Sequence, residues 1–356
     1  MVRNASKFLA YLSTAAALLL AGPARADDCI PSLRILNSVQ MQATTDRTVM
    51  VVPVKIDNAD KKLLLDTGGL VSQISRATAD GLDLPQHHSD QRLRDLAGNA
   101  SSAEATIPKF TLGVQNEREV PMAVAPNPDL GTSLPYDGLL ATDLFPGDDI
   151  DMDFGARRLT TFSPDHCEGR VIYWPADRIA RVPITESHNL IIIPVMVDGH
   201  PLNAVMDTGS QFTVMNMGVA NQLFGLTPSS PSVTPSVETN GDKSITLYRH
   251  LFDKLTFEGV EVSNLQVYLL PNQVAVHDRP RSLLLLAPSH MPLSGSRMFQ
   301  SAGPITEPEL ESLSIPDVII GMDVLRHLHV YFAAKEKRLY ITDAVLGESA
   351  LFRYKE

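Results

Sequence analysis

The chain is predicted to be all-β and to consist of two homologous halves, and three observations carry that prediction. Apolar Leu, Val and Ile residues alternate at strand spacing through much of the 356 residues. The segment Leu63-Leu64-Leu65-Asp66-Thr67-Gly68 returns as Ala204-Val205-Met206-Asp207-Thr208-Gly209. A later segment, Asp137-Gly138-Leu139-Leu140-Ala141-Thr142-Asp143-Leu144, returns as Asp317-Val318-Ile319-Ile320-Gly321-Met322-Asp323-Val324. Each copy is followed by a strand and turn with a shared Arg-Leu, at Arg158-Leu159 and Arg338-Leu339. Such a pattern is an internal duplication of long period, and each half is expected to be a globular unit.

The first half opens at residue 27. Before it, Arg3 and Lys7 precede an apolar stretch from Phe8 to Leu20, and Ala24-Arg25-Ala26 supplies a small-x-small site. Residues 1–26 therefore read as a secretory signal peptide. A membrane anchor is the alternative, but the apolar run falls short of the about 20 residues that span a bilayer. The later sequence contains no run long enough to do so, so no integral membrane segment is expected after signal removal. Export implies a periplasmic or secreted location. The whole chain carries a net charge of -11, and removing three basic residues leaves about -14. With no cluster of Lys and Arg, nucleic acid and anionic membranes are poor partners. The lead from Asp27 to Asn37 is too short for an inhibitory propeptide of the usual kind.

Residues 27–170 form the predicted N-terminal lobe. Val52-Pro53-Val54-Lys55-Ile56-Asp57 and its copy Ile193-Pro194-Val195-Met196-Val197-Asp198 lie 141 residues apart, as do Asp66 and Asp207. Each is followed by a short polar turn and a second apolar run, so each half reads as a β-hairpin that ends in a carboxylate. Val71–Ser75 alternates like a strand, and Arg76–Leu82 reads as a helix ended near Gly81. The polar stretch 87–105 reads as a hairpin with its turn at Gly98-Asn99. Strands at 110–114 and 120–124 follow, with a turn at 115–118. Residues 171–184 are an interlobe strand and linker, the strand being Val171-Ile172-Tyr173.

Residues 185–356 repeat the plan. A Ser/Pro/Thr-rich stretch covers 228–239, a hairpin covers 239–250, and strands cover 255–257, 260–262 and 265–270. The spacing between the two motifs is 39 residues longer in this half, and the excess falls at 277–313 around Leu283-Leu284-Leu285-Leu286. That insertion is either an added strand packed on the lobe or a cover over a surface or cleft. The two cysteines, Cys29 and Cys167, suggest one disulfide in an exported protein, with two buried thiols as the alternative. No cofactor is called for. His327 and His329 share a strand face if the strand includes both, but without a third ligand no metal site is predicted.

Two aspartates from homologous halves point to a single seam site. Close together, they cannot both ionise cheaply, so one proton is shared. The ionised member can then draw a proton from a trapped water while its partner polarises a carbonyl, which hydrolyses an amide without metal or covalent intermediate.

From about Val49 to Thr342 the chain resembles the aspartic proteases of the pepsin/retropepsin superfamily, on the two apolar-apolar-Asp-Thr-Gly segments and the two later motifs. The likeness is to tandem retropepsin-like lobes in one chain. It implies two closed β lobes with a cleft between them, covered by hairpin flaps that 96–105 and 238–245 could supply. It implies that Asp66 and Asp207 are the catalytic pair, with Thr67 and Thr208 bonding across the lobes beneath them. Gly68 and Gly209 then keep the loops close, and the Ser210 hydroxyl supports Asp207. Gly69 stands where the family usually has Ser, Thr or Ala, so the pair is expected to be unequal, with Asp207 the more acidic. In the second motif, Ala141 stands where the other lobe has Gly321, and its methyl demands room close to the backbone. The implied activity is endopeptidase cleavage of an extended peptide or protein, without need of an oligomer. The alternative is a peptide- or protein-binding module that keeps the fold but not turnover.

Overall fold

The computed structural model describes residues 32–45, 48–94, 100–127, 130–132, 134–187, 189–240, 243–270 and 316–344. The signal segment, Cys29, both flap tips and the 277–313 insertion lie outside the described residues. The first lobe contains β1 (Ile35–Gln40), β2 (Gln42–Ala43), β3 (Met50–Ile56), β4 (Ala59–Leu65), β5 (Gln73–Ile74), helix α1 (Arg76–Gly81), β6 (Gln86–Arg94), β7 (Ala100–Leu112), β8 (Gln115–Val124) and β9 (Gly138–Leu140). After a 3-10 turn at Thr142–Leu144 come β10 (Asp149–Asp153) and β11 (Arg158–Phe162). The second lobe follows with β12 (Ala180–Pro183), β13 (Thr185–Ser187), β14 (Leu190–Val197), β15 (His200–Met206), β16 (Val214–Asn216), α2 (Met217–Phe224), β17 (Thr234–Asn240), β18 (Lys243–Phe257) and β19 (Val260–Leu270). It ends with β20 (Val318–Ile320), α3 (Met322–Leu325), β21 (Leu328–Ala333) and β22 (Arg338–Asp343).

Each lobe is a closed six-stranded β barrel. The order β3-β4-β9-β5-β8-β7 returns to β3, and β14-β15-β20-β16-β19-β18 returns to β14. Closure removes the edges that an open sheet would leave unpaired. The turns at Asp57-Asn58 and Asp198-Gly199 have positive φ at both central residues, the geometry that lets a two-residue hairpin follow the strand twist. In each barrel the later motif threads back between the hairpin and the next strand. Leu63–Leu65 pairs in parallel with Gly138–Leu140, and Ala204–Met206 with Val318–Ile320. Strand alternation places Leu63, Leu65, Ala204 and Met206 in one continuous apolar core, where a fully buried Leu contributes about 1.5–3 kcal/mol.

A third sheet joins the lobes, in the order β1-β11-β10-β21-β22-β12. At its centre β10 of one lobe pairs with β21 of the other, Asp151 opposite Tyr331. Ile150, Met152, Val330 and Phe332 face the main core. The opposite face carries buried Asp149 and Asp151, held by His166 at 2.5 Å and His329 at 2.6 Å.

Several expectations are corrected. Val171-Ile172-Tyr173 is not a strand. Its side chains seal the polar face instead, Val171 buried and the Tyr173 hydroxyl donating to Asp151, while the interlobe strand starts at Ala180. The turn expected at 115–118 falls at Gly113-Val114, because Gly113 takes φ 57° and Asn37 accepts the Val114 amide at 3.2 Å. The strand expected over Val71–Ser75 shrinks to Gln73-Ile74, since Ser75 leaves it to cap α1 by accepting the Thr78 amide. In the second lobe the hairpin begins earlier than expected, pairing Thr234 with Arg249, and its second strand runs on to Phe257 against β19. His327 precedes β21, so it does not share a strand with His329, whose ring stacks on Trp174 at 3.8 Å. Cys167 is buried beside this sheet, and its pairing with Cys29 rests on a residue outside the described ones.

Candidate active site

Asp66 and Asp207 stand at the ends of β4 and β15, one residue past the last paired position. Each is held there by its own amide, which donates to Leu140 O and to Ile320 O, both at 2.9 Å. The parallel pairing with the later motif thus ends on the bond that fixes the aspartate.

Behind the aspartates the two loops grip each other. The Thr67 hydroxyl donates to Met206 O at 2.7 Å and accepts the Thr208 amide at 3.1 Å. Reciprocally, the Thr208 hydroxyl donates to Leu65 O at 2.8 Å and accepts the Thr67 amide at 3.0 Å. Both threonines are buried, so these four bonds are made in a dry setting where an unmet partner would be costly.

Above the grip the carboxyls of Asp66 and Asp207 come close enough to shift each other's ionisation. The glycines explain why they can. A Cβ on Gly68 would stand 2.3 Å from Asp207 Cγ, and a Cβ on Gly209 would stand 2.5 Å from Asp66 Oδ1. Each glycine therefore makes room for the carboxyl of the opposite lobe. Both aspartates are only partly covered, so the site opens on one side.

The pair is electrostatically unequal. Burial, then the charge of Asp207, then the hydrogen bond with it push Asp66 well above the ordinary carboxylate range. Burial raises Asp207 too, but the Gly209 amide, the hydrogen bond from Asp66 and the Ser210 amide favour its anion. Both amides donate to Asp207 Oδ1, at 2.8 and 3.2 Å. Burial and the neighbouring charge of Asp207 thus favour the protonated form of Asp66. The expected cause is corrected: the Ser210 hydroxyl donates to Phe212 O at 2.8 Å, not to Asp207. Backbone amides favour the anion at both carboxyls, those of Gly68 and Gly69 at Asp66 and those of Gly209 and Ser210 at Asp207.

Ala141 has the room its methyl needs. It keeps an extended backbone at φ −95° and ψ 177°, and a Cβ on the facing Gly69 would stand 3.4 Å from its own. In the other lobe a Cβ on Gly321 would meet Phe212 O at 2.4 Å, which explains a glycine there.

A support beneath each loop was missed in the sequence. Asp143 accepts the Ser72 hydroxyl at 2.6 Å, and that oxygen accepts the Ala141 amide at 3.0 Å. Asp323 accepts the Thr213 hydroxyl at 2.8 Å, and that oxygen accepts the Gly321 amide at 3.3 Å. The signal was present: Ser72 and Thr213 lie 141 residues apart and Asp143 and Asp323 lie 180 apart, the same shifts as the motifs they support.

A sequence model of the family described as aspartyl protease matches residues 52–144 and 193–324, once in each lobe. Both matches span an Asp-Thr-Gly and the later motif of the same half. Among curated proteins, no significant relative matches the chain.

Proposed function

This chain belongs to the aspartyl protease family, and from that premise we propose that it is an exported endopeptidase that cuts an extended peptide or protein with a water activated between Asp66 and Asp207. The observation that carries the reading is the reciprocal packing of Gly68 against the Asp207 carboxyl and of Gly209 against that of Asp66. Two carboxyls brought so close share one proton, the state that hydrolysis by this route requires.

In the reaction, Asp207 as the anion takes a proton from the water between the two carboxyls. The resulting hydroxyl attacks the carbonyl carbon of the scissile amide, while the proton on Asp66 is donated to the carbonyl oxygen. A tetrahedral diol forms. Its collapse breaks the C–N bond as the proton held by Asp207 passes to the leaving nitrogen, and a proton returns to Asp66 from the diol. Thr67 and Thr208 touch no substrate in this scheme and hold the two loops in register. One chain supplies both carboxyls, so a second copy is not required. Export rests on the basic-apolar leader and the Ala24-Arg25-Ala26 site; N-terminal sequencing of the protein made as the full chain should begin at Asp27.

The deciding assay incubates purified protein with a diverse peptide mixture from about pH 3 to 8, read by mass spectrometry, beside Asp66→Asn and Asp207→Asn. Activity should form a bell below neutral pH, falling when both carboxyls are protonated and again when both are charged. Both variants should be inactive with the fold intact. Cleavage that survives Asp207→Asn rejects this pair as its source, and a folded parent that cuts nothing at any pH turns the reading to peptide binding without turnover.

A further inference from the structure

The two catalytic loops differ in what they leave open. Past Asp66, Leu70 is buried against Leu190 and Val205, and its carbonyl accepts Asn189 Nδ2 at 2.9 Å. Val71 is buried as well. Past Asp207, both Gln211 and Phe212 are exposed, Phe212 by 37%. Thr213 turns its hydroxyl inward to Asp323, so Phe212 beside it points outward. Its carbonyl is tied to the Ser210 hydroxyl, and the Ser210 amide touches Asp207. The ring is therefore rooted on the loop that carries the reacting carboxyl.

A single exposed aromatic is ordinary on a protein surface, but this one is propped. Its ring packs on that of Tyr268, with centroids 4.6 Å apart and planes at 31°, and Tyr268 is itself buried. Strand register identifies the counterparts in the other lobe. Gln73 pairs with Ala123 where Val214 pairs with Tyr268. Phe212 and Tyr268 thus correspond to Val71 and Ala123, and the aromatic pair exists in one lobe only. A supported ring with one face in solvent offers a large apolar contact with little side-chain entropy left to lose.

We propose that Phe212, backed by Tyr268, is a binding subsite for an aromatic or large aliphatic side chain of the substrate, on the Asp207 side of the cleft alone. The inference rests on the peptidase reading for its substrate, and the test separates the two. Randomised peptides are incubated with the parent, Phe212→Ala and Phe212→Tyr, and the amino acids flanking each cut are counted. The parent should enrich large apolar residues at a position on one side of the cut bond only. Phe212→Ala should lower kcat/KM for those peptides about tenfold more than for peptides with Ala at that position, mainly through KM. Phe212→Tyr should keep the preference. Equal apolar preference on both sides, or the same preference in Phe212→Ala, overturns the proposal. If the parent cuts nothing, the peptidase reading falls, and the subsite is judged on peptides retained by the immobilised chain. Apolar enrichment among them that vanishes in Phe212→Ala upholds it, and enrichment that is unchanged or absent in the parent overturns it.

Discussion

Gly209→Ala tests the closeness of the two carboxyls. The new Cβ would stand 2.5 Å from Asp66 Oδ1 and 2.8 Å from Asp66 Cγ, whereas ordinary contact begins at 3.4 Å. Asp66 or the loop carrying residue 209 must then retreat by roughly 0.9 Å, the shortfall in that contact. Displacements of about 1 Å at a reacting centre cost on the order of 10²-fold in rate, and overpacking costs about 1–3 kcal/mol in stability. Since the same loop carries Thr208, whose hydroxyl and amide hold the opposite loop, the stability loss should lie toward the upper end. Gly81→Ala is the control: it has nothing within 4 Å in the last turn of α1, and it should be neutral or gain up to about 1 kcal/mol. Urea unfolding and kcat on a peptide chosen from the library read both quantities. A Gly209→Ala protein with the parent's midpoint and the parent's kcat would refute the geometry.

Thr67→Val strips a hydroxyl that serves two buried bonds, to Met206 O and from the Thr208 amide, and should lose about 2–4 kcal/mol in urea unfolding. Ser210→Ala should leave the acid limb of the pH-activity profile where it is, because that hydroxyl serves Phe212 O. Burial raises Asp66 in the folded state; its contribution to stability is full below the unfolded carboxylate pKa and is lost as pH rises through the folded value. Asp66→Asn should therefore melt above the parent near neutral pH and lose that advantage at about pH 3, by scanning calorimetry. The proposed Cys29–Cys167 bond should leave no thiol to label without reductant, and Cys167→Ser should then cost about 2–4 kcal/mol.

The sequence revealed the parts of the fold that local pattern controls. A shift of 141 residues aligns two hairpins and two Asp-Thr-Gly loops and so marks the seam. What stayed hidden depends on pairings between distant segments. Nothing near Asp149–Asp153 says that it will lie against Leu328–Ala333 of the other lobe, because an apolar strand pattern carries no address for its partner. Tyr173 follows the same rule: an apolar triplet reads as a strand, yet its hydroxyl belongs to Asp151 and its backbone pairs with nothing in a sheet. The partner of the Ser210 hydroxyl is not legible in the sequence because a serine in a turn can reach several acceptors, and the path of the backbone decides among them.

That path also links the two departures from symmetry. In the second lobe the backbone of Phe212 closes on Gly321 so tightly that a Cβ there would stand 2.4 Å from Phe212 O and 2.5 Å from Phe212 C. In the first lobe Ala141 occupies the equivalent place, so the backbone at Val71 has to stand farther off. Gly69 is its complement: a Cβ there would press on Asp66 Oδ2 at 2.9 Å, and its absence leaves space beside both the carboxyl and the Ala141 methyl. The loop that stands off is covered by Asn189 and Leu190, while the loop that closes in presents Phe212 to solvent. A single small-residue exchange, glycine at 69 with alanine at 141 against serine at 210 with glycine at 321, thus accompanies the difference between a sealed side and an open, aromatic side of one seam.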